Sequence, residues 1–135
     1  MRYMMLIYTK ETENGPTGAE AEQIKAAHWA VMREATAKGV LMGAEPLAPT
    51  RTATTVRVEN GKSLITDGPF AETKEQLAGY YILDCQNLDE AIEWAEKIPT
   101  ACKGGEGCIE IRPLPGLPGR SDPEALAGHA VKLNG

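Results

Sequence analysis

The chain has 135 residues, 42% of them hydrophobic and 24% charged, with a formal net charge of −5. This is the ordinary composition of one globular domain, or of one domain with a tail. It excludes several classes: no Lys/Arg block invites nucleic acid or an anionic membrane surface, no apolar run nears the ~20 residues of a membrane span, and three cysteines are too few for a disulfide framework.

Met1 to Tyr8 carries one charge and a short apolar run with no small-residue cleavage site after it. It reads as a first strand rather than a leader, so a cytoplasmic protein is expected. Tyr3 to Tyr8 is apolar on both alternating faces, which places this strand inside a sheet covered on both sides. Asn14 to Gly18 is a loop by composition. Glu20 to Lys38 reads as a helix, with Ile24, Ala27, Val31 and Ala35 at 3-4-4 spacing and Gly39 as its stop. His28 falls within that apolar stripe. It is either a satisfied core histidine or a general acid–base, since an unperturbed imidazole titrates near pH ~6.5. Val40 to Ala44 is a short second strand, closed by Pro46 and Pro49.

Thr54–Glu59 and Lys62–Thr66 flank Asn60-Gly61, a strong local signal for a two-residue hairpin. That loop sets Glu59 opposite Lys62, Val58 opposite Ser63 and Val56 opposite Ile65, giving one apolar face that should be buried. Counting on by two, Asp67 reaches the end of the same face. There a carboxylate is costly unless bonded. Asp67-Gly68-Pro69-Phe70 then forms a rigid corner, because Gly permits φ > 0 and Pro fixes φ. Asp67 is either a plain turn residue or a held carboxylate with acid–base chemistry. Glu72, Lys74 and Glu75 follow it as a solvated face or as ligand-binding groups.

Gly79 to Cys85 is a further strand, on which Tyr80 and Tyr81 face opposite ways, so one of them lines a cleft. Asn87 N-caps a second helix, with Glu90 three residues on. Leu88, Ala91, Ile92, Ala95 and Ile98 form its stripe, and Pro99 ends it. Cys108 to Arg112 is the last strand; Glu110 and Arg112 share one face as an ion pair or an anion clamp. Cys102 and Cys108 bracket a Gly-rich loop. Two thiols do not make a zinc site, no P-loop or Gly-x-Ser-x-Gly elbow is present, and neither metal nor cofactor is expected. A disulfide there is the alternative to free thiols. A tail over 116–135, with a weak helix over 122–132, follows the domain at 1–115.

The element order suggests an α+β ferredoxin-like sandwich, βαββαβ with an inserted β-hairpin. Two helices cover one sheet face, and the other apolar face also needs a cover. A second copy is the simplest one, giving a homodimer with a cleft between sheets.

Asp67-Gly68-Pro69-Phe70-Ala71-Glu72-Thr73-Lys74-Glu75, followed by Gly79-Tyr80-Tyr81, resembles the DGPF-motif family of YCII-related proteins. Met1–Tyr8, Gly39–Pro49, Leu88–Ala95 and Ile109–Pro113 extend the resemblance over roughly residues 1–115. It implies a ferredoxin-like, dimeric α/β barrel and no established reaction. Some members are encoded beside extracytoplasmic-function sigma factors. The related YCII proteins look like enzymes with a His–Asp pair in a dimer cleft. Their histidine stands eleven residues before a glycine, as His28 does before Gly39. Their aspartate belongs to an Asp-Pro step where this chain has Ile98-Pro99, and Asp67 is the expected substitute. Two readings follow. One is acid–base chemistry on a small organic molecule by Asp67 and His28, with Glu72, Lys74, Tyr81 and Arg112 binding it. The other is a non-catalytic small-ligand-binding or regulatory protein, linked to such a sigma factor.

Overall fold

The first strand, β1 (Arg2–Thr9), buries Tyr3, Met5, Ile7 and Thr9 on one face while Arg2, Met4, Leu6 and Tyr8 are half-exposed on the other. The computed structural model describes residues 1–13, 15–99 and 107–116. After β1 come α1 (Gly18–Ala37), β2 (Leu41–Pro46), a short 3-10 turn at Thr50–Thr52, β3 (Thr54–Glu59), β4 (Lys62–Asp67), β5 (Gln76–Asp84), α2 (Leu88–Lys97) and β6 (Cys108–Leu114). Four strands make one antiparallel sheet in the order β2-β5-β1-β6, with β1 inside as its double-sided apolar pattern requires. The molecule is therefore α+β, with the strand order of a ferredoxin-like sheet. The tail after Gly116 and Cys102, with its pairing to Cys108, lie outside the described residues.

Both helices pack on one face of this sheet. Val31 and Ala35 of α1 and Ala91, Trp94 and Ile98 in and after α2 join Tyr3, Met5, Ile7, Tyr81 and Leu83 in one core. Glycine closes α1 as expected: Gly39 adopts φ +72°, its N–H reaches the Thr36 carbonyl at 3.0 Å, and the Val40 N–H reaches Ala35 at 2.9 Å. The second helix is turned from its expected setting. Leu88 and Ile92 are exposed, and Trp94 takes the buried place between Ala91 and Ile98. Positions 91, 94, 95 and 98 make a stripe of their own, and the large indole gains most from burial.

The Asn87 side chain accepts the Glu90 N–H at 2.9 Å, and the Glu90 carboxylate accepts the Gln86 N–H at 2.8 Å. An Asn87→Ala variant is expected to lose about 1 kcal/mol in urea denaturation, the usual value of one cap.

The hairpin has the expected register, with Glu59 opposite Lys62 and Val56 opposite Ile65. Asn60 and Gly61 both have positive φ, as a two-residue loop demands. Its apolar face is not buried, however. β3 and β4 form a separate two-stranded sheet, and Val56, Val58 and Ile65 are 59%, 69% and 70% exposed. The expectation failed because alternation reports which residues share a face and not what covers that face.

Candidate functional site

His28 and Tyr81 come together from the first helix and the middle of β5. His28 lies on the α1 face that carries Ile24, Ala27 and Val31, so helical spacing aims it at the sheet. Tyr81 is buried on the same side, flanked in register by Met5 of β1 and Ala44 of β2. His28 Nδ1 and Tyr81 Oη stand 2.7 Å apart, with the rings tilted at 47°.

Burial sets the charge of both groups. Desolvation lowers the His28 pKa below 6.5, so the imidazole is neutral at pH 7. Desolvation also pushes Tyr81 up from 10.0 to about 12, so its hydroxyl stays protonated. The pair has two settings. With Tyr81 donating to Nδ1, Nε2 carries the hydrogen; with Nδ1–H donating to Oη, Nε2 offers a lone pair. His28 makes no other hydrogen bond, and no buried polar side-chain atom is left unpartnered among the described residues. Nε2 therefore has no partner among the described residues and is not fully sealed between helix and sheet. Alkali should weaken the fold through the same pair. The raised Tyr81 pKa favours the protonated folded state, so stability falls as pH rises from about 10 towards 12. Urea midpoints across that window should drop less in Tyr81→Phe than in the parent.

The other sequence candidates lie elsewhere. Asp67 is exposed at the end of β4, and its side chain has no hydrogen bond or ion pair among the described residues. It is not the partner of His28. The corner beside it is locked: Gly68 has φ +100°, its N–H meets the Ala53 carbonyl at 2.7 Å, and its carbonyl accepts the Thr55 hydroxyl at 2.8 Å. Glu72 and Lys74 are exposed. Arg112 pairs with Glu110 at 3.5 Å on the open side of the sheet. Tyr80, not Tyr81, faces that open side, so the His28–Tyr81 pair lies on the helix side of the sheet. This departs from the expected cleft between two sheets.

Two carboxylates hold the surrounding frame. Glu11 accepts the Thr50 N–H at 2.9 Å and its hydroxyl at 2.6 Å, and so caps the 3-10 turn. Glu75 accepts the Gly107 N–H at 3.0 Å at the start of β6. Burial first, then the neighbouring Glu75 carboxylate, raises the pKa of the Cys108 thiol. Sequence reasoning gave Glu11 no role. Its partner is 39 residues away. No group of three or more His, Cys, Asp or Glu side chains that would hold a metal occurs among the described residues. No helix among them is long and apolar enough to cross a membrane.

A family model described as the YCII-related domain matches residues 1–115. An uncharacterised protein of Rhizobium meliloti (strain 1021) is 39% identical over 115 residues, which are 84% of this chain and 92% of that protein. Among solved structures, the chain is similar to 5-chloro-2-hydroxyhydroquinone dehydrochlorinase from Burkholderia phenoliruptrix AC1100 in complex with 2,5-dihydroxybenzoquinone. The TM-score is 0.43 and the identity 17%, over 84% of this chain and 93% of that one.

Proposed function

Because the chain belongs to the YCII-related family, matched over residues 1–115, we propose that it carries out proton transfer on a small organic molecule, with His28 as the acid–base. One observation carries this reading: the 2.7 Å contact that fixes Nδ1 on Tyr81 and leaves Nε2 without a partner among the described residues. A neutral, oriented imidazole is suited to take a proton and return it. Tyr81 holds the ring, accepting from Nδ1–H when positive charge forms.

The same reading makes the protein a homodimer. Met4, Leu6, Tyr8, Tyr80 and Ile82 leave an apolar, half-exposed sheet face opposite the helices. A second copy is the simplest cover for it. Asp67, Glu72, Lys74 and Arg112 are then groups for a partner or ligand rather than members of the His28 pair.

Incubating the protein in D₂O with a panel of small carbonyl acids and phenols tests the chemistry by proton NMR. Deuterium uptake by at least one compound is expected, and His28→Gln should slow it about a hundred- to ten-thousand-fold. Equal uptake with the variant would sink the acid–base role. Binding of a panel compound, without exchange but lost in Asp67→Asn, would favour a regulatory ligand-binding protein instead.

A further inference from the structure

The β3–β4 hairpin presents one face made of Thr54, Val56, Val58, Ser63, Ile65 and Asp67. Its three aliphatic side chains are each more than half exposed. An isolated two-stranded hairpin is at best marginal in water, so this arm needs a surface to lie on. The chain carries a second bare apolar surface, the open sheet face of Met4, Leu6, Tyr8, Tyr80 and Ile82. Stable interfaces take roughly 20–30 residues a side, and neither patch reaches that alone. Asp67 is the one charged strand residue on the arm's face; the open side of the sheet carries Arg2 and Arg112 among the acids Glu45, Asp84 and Glu110, so an arginine is there for Asp67 to meet but overall charge does not drive the contact.

Resting on the homodimer just proposed, we infer that each copy lays its hairpin across the open sheet face of the other. Val56, Val58 and Ile65 meet the apolar sheet residues, and Asp67 meets Arg112 of the second copy. A two-fold pair covers both patches on both copies with one self-complementary contact. A foreign partner would have to match both patches at once. The signature corner then has a physical role. Gly68 locks the root of the arm, and Asp67 sets its register on the sheet.

The test is light scattering and sedimentation over a dilution series. A Val58→Asp/Ile65→Asp double variant should weaken the dimer about a hundredfold, with unchanged far-UV circular dichroism. Thr66→Asp, on the opposite hairpin face, should leave it unchanged. In the parent, hairpin amides should gain exchange protection as concentration rises. Leu6→Glu separates the two ideas. If it dissociates the dimer while the hairpin variant does not, the arm is wrong and the sheet-face dimer stands. A parent that stays monomeric overturns both. Truncation after Gly116 gives a further arm. If it alone strips protection from the hairpin and the dimer persists, the tail covers the hairpin and the inference falls.

Discussion

Gly79→Ala is expected to lower the unfolding free energy by about 3 kcal/mol, at the upper end of what overpacking costs. A Cβ at this position would stand 2.8 Å from the Glu45 carbonyl oxygen and 3.3 Å from Pro46 Cα. Both are backbone atoms of β2, so no side chain can swing aside. Nor can β2 easily back away, because the Leu47 N–H is bonded to the Ala78 carbonyl at 2.8 Å. The damage should spread to the site, since Ala44 of the same strand lies beside Tyr81. A urea midpoint lowered at unchanged m value would bear this out. A loss within about 0.5 kcal/mol, the range of an ordinary surface change, would show that β2 yields.

His28→Gln should remove proton transfer while leaving the fold intact, because the ring is only half-buried. The parent's kcat/KM should rise with pH and level off, with its inflection below 6.5, where burial places the His28 pKa. The same shift acts on stability. The folded state holds the imidazole neutral more strongly than the unfolded chain does. That contribution is complete above 6.5 and is lost as pH falls from there to the folded pKa. His28→Gln should flatten this acid limb in urea titrations. Tyr81→Phe should keep the base and lose its anchor, so its activity should fall less than that of His28→Gln. A pH–rate profile identical in His28→Gln and the parent would assign the chemistry to another group.

Local rules carried most of the architecture. Asn60-Gly61 set the hairpin register, Gly39 closed α1, and Asn87 with Glu90 opened α2. Each depends on residues a few positions apart. The misreadings arose where distance in the fold decides. The hairpin face looked buried because its alternation is the same whether or not a cover is present. Trp94 took the buried place expected of Leu88 and Ile92 because the stripe of α2 that meets the core is chosen by packing across the fold, not by spacing within the helix. The candidate site was half legible: helical spacing placed His28 against the sheet, but Tyr81 lies 53 residues away and no local pattern pairs them. The resemblance drew attention to Asp67. The partner of His28 sat instead at the end of the Gly79-Tyr80-Tyr81 run.

The seam between the helices carries its own optical reporter. Trp94 is only 4% exposed, with the Lys97 ammonium 4.7 Å and the Lys38 ammonium 5.5 Å from its ring. Both lysines also reach Glu34, which ties α2 to the helix that bears His28. The sequence has one other tryptophan, Trp29, and it is 51% exposed on the outside of α1. One indole is thus tuned to the spacing of two helices and the other to the solvent beside α1. Fluorescence can follow both sides of α1 without an added label.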